Sequence, residues 1–124
     1  MSKEVECNGV NRISTSRADA QNLLDYGQYN NEQLWGYDAN DWYKRYLYAG
    51  WSIVITVDCD QDLTAALTAY RYYTHLSTRV IQYGDSYTLE LTASSSGTYY
   101  FRVALQYIGD HSGDYYDVDW YVVS

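Results

Sequence analysis

The chain has no proline, two cysteines, one methionine and one phenylalanine among its 124 residues. No Pro- or Gly-rich stretch reads as a linker, and the length suits one domain around one hydrophobic core. Positive charge is scarce: eight Lys and Arg against sixteen Asp and Glu leave a net charge of −8. That deficit argues against a nucleic-acid backbone as partner, which needs a basic patch. It argues equally against an anionic membrane surface. No apolar run is long enough to insert across a bilayer. Met1–Cys7 is polar and does not read as a signal peptide, which leaves open both export of a processed chain and an intracellular one. Cys7 and Cys59 form no Cys-x-x-Cys, which argues against a thiolate metal centre or redox motif. By themselves they permit one disulfide or two free thiols.

Catalytic constellations are also missing. His75 and His111 are isolated and stand in no metal-ligand spacing. There is no Gly-x-Ser-x-Gly elbow and no candidate triad, so the chain is expected not to be an enzyme. Leucine, lysine and glutamate are too sparse for a helical bundle.

Tyrosine is what the chain has in abundance, with 17 residues, beside four tryptophans. Tyr, Thr and Val favour strands. From Trp42 onward the hydrophobic period is two. The expected strands are Trp42–Tyr48, Ser52–Asp58, Leu63–Tyr73, Ser77–Gln82, Tyr87–Ala93, Thr98–Ile108 and Tyr115–Val123, separated by turn signals such as Ala49-Gly50 and Gly84-Asp85. This pattern predicts an all-β fold, an antiparallel, jelly-roll-like β-sandwich of about seven to nine strands. Its core faces are Ile53, Ile55 and Val57; Tyr99, Phe101, Val103 and Leu105; and Tyr116, Val118, Trp120 and Val122. Residues 1–37 read as a less regular segment packing on a sandwich core of 38–124. Ser14–Leu24 is its one helical piece, a turn or two capped by Ser16, and Gly27–Asn31 reads as a loop.

The most informative stretch runs from Asp38 to Gly50. Two aspartates, Asp38 and Asp41, stand at the mouth of an aromatic strand that a glycine turn closes. Tyr43 and Leu47 point to the core with Arg45 between them, and Trp42, Lys44, Tyr46 and Tyr48 point outward. Around this stretch several blocks keep a recognisable order. They are Glu4-Val5-Glu6-Cys7-Asn8, the Ala18–Leu24 stretch, Asp38-x-x-Asp41 before an aromatic strand ending in Ala49-Gly50, Asp60-Gln61-Asp62-Leu63, Gly97-Thr98-Tyr99-Tyr100-Phe101-Arg102-Val103, and a closing Gly113–Val123 strand. The ordered set resembles the bacterial pre-peptidase C-terminal domains, which include the collagen-binding domains of clostridial collagenases. The chain departs from that pattern at Cys7, where proline is usual, at Gly9, and at Arg45, where an aromatic is usual.

The resemblance implies a secreted β-sandwich module with a calcium site. Matched positions would supply Glu4, Glu6, Asn8, Asp38 and Asp41 as ligands, an oxygen-only set suited to a hard cation. The other reading leaves Glu4 and Glu6 solvated in a tail. Were Trp42–Tyr48 and Ser52–Asp58 a hairpin, Cys59 would fall near Asp41; were Glu6 and Asn8 at the cation, Cys7 would too. On those two conditions a Cys7–Cys59 disulfide is expected, with two unrelated thiols as the alternative. Asp58, Asp60 and Asp62 form a further acidic turn, a second ion site or simply a solvated loop. Trp42, Tyr46, Tyr48, Tyr100 and Tyr121 fall on outward strand positions, where aromatics stack on sugar rings or peptide chains. Together these features predict a calcium-stabilised, non-catalytic module that binds an extracellular polymer, collagen-like protein or polysaccharide, through an aromatic sheet face. The alternative is a structural subunit that self-assembles into an extracellular fibre or layer.

Overall fold

The computed structural model describes residues 16–34, 40–106 and 114–124. Among the described residues a 3-10 turn, Arg17–Asp19, precedes nine strands. These are β1 (Gln21–Asn22), β2 (Tyr26–Leu34), β3 (Asn40–Leu47), β4 (Ser52–Cys59), β5 (Ala65–Arg71), β6 (Thr74–Ile81), β7 (Ser86–Thr92), β8 (Gly97–Leu105) and β9 (Asp114–Val123). One sheet has the order β1-β3-β8-β5-β6 and the facing sheet the order β2-β9-β4-β7. Every pairing is antiparallel except the short parallel contact of β1 with β3. The chain is an all-β sandwich, as the alternation predicts.

The inner faces are those read from the period of two. Ile53, Ile55 and Val57 of β4 are buried against Tyr99, Phe101 and Val103 of β8, with Val118 and Trp120 of β9 in the same cluster. Burying such side chains contributes roughly 1.5–3 kcal/mol each before chain entropy is counted. Trp120 is buried and its indole N–H donates to the Leu24 carbonyl at 3.0 Å, so its one polar group is satisfied.

Two expectations are corrected. Gly27–Asn31 is not a loop but the middle of β2, the edge strand of the second sheet. The pairing with β9 shifts between Tyr29 and Glu32, and Asn31 there adopts φ 57°. Asparagine tolerates that left-handed backbone better than most residues. The bulge changes the phase, so that Tyr29, Glu32 and Leu34 are the buried residues of the strand. Gly27 is required because a Cβ there would lie 2.7 Å from the Trp120 ring.

The second correction concerns Trp42–Tyr48 and Ser52–Asp58, which do not pair as a hairpin. β3 pairs with β1 and β8, and β4 with β7 and β9. Tyr48–Trp51, with Gly50 at φ 91°, carries the chain from one sheet to the other. Within residues 1–37, the described part gives β1 to one sheet and β2 to the other.

Candidate functional site

The five outward aromatics of the sequence do not share one face. Trp42 and Tyr100 stand on the outer side of the first sheet, but Trp42 is only 8% exposed. Arg17, from the 3-10 turn, covers it. The guanidinium carbon lies 4.6 Å from the ring centres of Trp42, Tyr70 and Tyr73 and 4.9 Å from that of Tyr100. Its Nη1 also donates to the Tyr72 carbonyl. Each such cation–π contact contributes about 0.5–1 kcal/mol at an exposed site. Trp42, expected to be open to a partner, is therefore held under the molecule's own arginine. Tyr121 is exposed on the outer side of the second sheet, in register with Tyr26.

Tyr46 and Tyr48 remain open. Their ring centres are 5.2 Å apart, and Trp51 packs edge-on against Tyr48 at 4.9 Å. They line a cleft of about 880 Å³ together with Asn22, Leu23, Leu24, Asp25, Tyr26, Gly27 and Arg45. Leu24 and Tyr26 are 63% and 77% exposed. The cleft lies on the open side of the sandwich, where Leu23–Asp25 crosses from β1 to β2. A smaller hollow of about 170 Å³, bounded by Gln21, Gln28 and Trp120, adjoins it beyond Leu24 and Tyr26. Sequence reading missed Leu24 and Tyr26 because they precede the regular alternation.

Arg45 finds its explanation here. It points inward from β3 at the margin of the sandwich, where β1 is only two residues long. Its guanidinium meets Asp25 at 2.8 Å and donates to the Leu23 carbonyl at 3.2 Å. An aromatic in that position would face the cleft rather than the core. Asp25 is largely exposed, so the ion pair orients the arginine more than it stabilises the fold.

A second polar centre lies inside the sandwich. Tyr116 donates to Asp41 Oδ2 at 2.6 Å, and the Tyr43 and Tyr116 hydroxyls are 2.6 Å apart. Glu32 stands opposite Tyr116 in the strand register and is 2% exposed, while Asp41 is fully buried. Burial first, then the Asp41 and Glu32 carboxylates, pushes the Tyr43 hydroxyl well above its usual range. Tyr116 is raised by burial, then by Asp41, Tyr43 and Glu32. Cys59 pairs with Tyr116 in the register, so the end of β4 does lie at the Asp41 end of the molecule, although by a different topology from a hairpin. Burial pushes the Cys59 thiol up to about 12. Glu4, Glu6, Cys7, Asn8 and Asp38 lie outside the described residues. Among the described residues no three His, Cys, Asp or Glu groups form a metal cluster, and none of them pairs with Cys59 in a disulfide. Asp58, Asp60 and Asp62 are all exposed.

No protein-family model and no curated protein sequence matches the chain. Solved structures do. The pre-peptidase C-terminal domain of a Bacillus anthracis collagenase superposes with a TM-score of 0.56 at 16% identity, over 83% of this chain and 93% of that one. PliG from Aeromonas hydrophila, a periplasmic inhibitor of g-type lysozyme, gives 0.62 at 11% identity, over 83% and 95%. A variant of the Escherichia coli PliG gives 0.54 at 15%, over 83% and 96%. The resemblance read from the ordered sequence blocks thus holds as a shared fold. Among the described residues no helix is long and apolar enough to cross a membrane.

Proposed function

We propose that this chain is a secreted, non-catalytic binding module that holds an extracellular polymer, polysaccharide or collagen-like protein, in the cleft at the open side of its sandwich. The observation that carries this reading is the cleft itself. Exposed Tyr26, Tyr46 and Tyr48 flank it, and an arginine fixed by Asp25 lies among them. Flat rings beside a few fixed polar groups suit a chain of sugar rings or an extended peptide. The similar collagenase structure is a pre-peptidase C-terminal domain rather than the whole enzyme, which supports a non-catalytic role. Retention on a panel of insoluble collagen and insoluble polysaccharides tests the reading. Retention on at least one of them, without turnover of it, is expected; passage through all of them contradicts it.

Calcium belongs to the same proposal. Asp41 and Glu32 bring two buried carboxylates to one end of the sandwich, a setting that favours a cation beside them. The donors are all oxygen, which fits calcium. Glu4, Glu6, Asn8 and Asp38 would complete the set with Asp41, and a Cys7–Cys59 disulfide would fasten the same N-terminal segment. Closing so long a loop would contribute about 3–4 kcal/mol. Calcium is expected to raise the melting temperature and a chelator or a reductant to lower it. Melting indifferent to calcium and chelator removes the cation from the account, and a mass unchanged by reductant removes the disulfide.

A further inference from the structure

Three cations stand together on the outer side of the first sheet. Lys44 lies between Trp42 and Tyr46 on the outward row of β3, Arg102 stands opposite Trp42 on β8, and Arg17 reaches over the same place from its turn. The Arg17 and Arg102 guanidinium carbons lie 4.6 and 5.5 Å from the Trp42 ring centre, and 4.6 and 6.0 Å from that of Tyr70. The rings attract both cations but cancel neither charge. Two like charges gathered on one pair of rings repel, and an anion beside them would relieve that repulsion. Among the described residues no carboxylate does so. The strands of this sheet carry one, Asp41, and it is buried on the inward side. Asp19, on Arg17's own turn, accepts from Ser16 Oγ at 3.4 Å. Arg102 Nε is buried without an acceptor. Arg17, Lys44 and Arg102 are each partly exposed, so a ligand can reach them.

From this we infer that the polymer held in the cleft is an acidic polysaccharide, whose sulfate or carboxylate groups reach these three cations. The inference rests on the cleft reading above and names its ligand class. Continuity argues for it. Tyr46 lines the cleft and points to the same side as Lys44, two residues and about 7 Å away along β3. A chain that leaves the cleft past Tyr46 meets Lys44, and one row further the two arginines. Their chemistry suits oxyanions, which a guanidinium takes through two parallel N–H bonds. Arg17 is already held by four rings and by the Tyr72 carbonyl, so it loses little freedom on binding one. A neutral polysaccharide would leave all three charges unanswered. A nucleic acid asks for more than they offer, since duplex DNA carries a charge about every 1.7 Å and the chain as a whole has a net charge of −8. That net charge does not forbid a sparser polyanion, because at physiological ionic strength charges beyond about 8 Å are largely screened.

Calorimetric affinities for dextran sulfate, polygalacturonate and neutral dextran test it, with single-stranded DNA as a non-sugar polyanion. The wild type should bind dextran sulfate or polygalacturonate, more weakly as salt is added, and neutral dextran should bind about tenfold less tightly or not at all. The tighter of the two acidic polymers tells sulfate from carboxylate recognition. Lys44→Gln with Arg102→Gln should weaken acidic-polymer binding by about tenfold or more. Circular dichroism checks the fold; should the Arg102 substitution unfold the chain, Lys44→Gln alone serves, with a smaller loss in the same direction. Three results overturn the inference: no binding of either acidic polymer, charge variants that bind them as the wild type does, or DNA bound as tightly as the sugars. The cleft reading fails separately. It falls only if insoluble collagen and neutral polysaccharides are not retained either, and it stands without this inference if one of them is retained equally by the wild type and the charge variants.

Discussion

Tyr43 and Tyr116 set the molecule's response to alkali. Both are fully buried in a hydrogen-bonded chain that ends on Asp41, and ionising either would put a phenolate beside carboxylates in an apolar interior. Their folded pKa values are raised, so the stability they contribute is complete below the unfolded tyrosine pKa of about 10 and is lost as the pH climbs above it. Ultraviolet titration should therefore find Tyr43 and Tyr116 ionising only as the fold is lost. Their ionisation with the fold intact would show that the pair is not buried in this way. At the same scale Arg17 explains why outward direction alone did not identify a free surface. Trp42 points outward as its strand position requires, yet a residue 25 positions earlier covers it.

Among the elements, β2 depends most on one residue. Gly27 lies under the Trp120 ring, and the edge strand approaches β9 only because no Cβ intervenes. Gly27→Ala should cost about 1–3 kcal/mol by overpacking, read as a lower midpoint in denaturant. An unchanged midpoint would mean that the ring moves aside freely. This strand is also where the sequence was least legible. β4, β8 and β9 alternate strictly, so their core faces follow from period alone. In β2 the bulge at Asn31 breaks the phase, and one of the buried residues is a glutamate, so neither hydrophobicity nor period marks a strand. The site divided in the same manner. Tyr46 and Tyr48 were readable as outward aromatics, whereas Leu24 and Tyr26 join them only through the crossing of Leu23–Asp25 between sheets. The turn Tyr48–Trp51 was read correctly as a turn, but whether it makes a hairpin or changes sheets is decided by pairing with β7, β8 and β9, far along the chain.

At the scale of the whole molecule, the sandwich presents one aromatic cleft at its open side. The cleft suits a flexible or extended chain. The central claim is that Tyr46 and Tyr48 in the cleft carry polymer binding. Affinity for whichever insoluble polymer retains the wild type tests it most directly, measured for Tyr46→Ala with Tyr48→Ala and, in parallel, for Tyr121→Ala on the opposite sheet. Loss of two central aromatics should weaken binding by about tenfold or more, while Tyr121→Ala should bind as the wild type does. Equal binding by the cleft variant, or loss confined to Tyr121→Ala, would contradict the account.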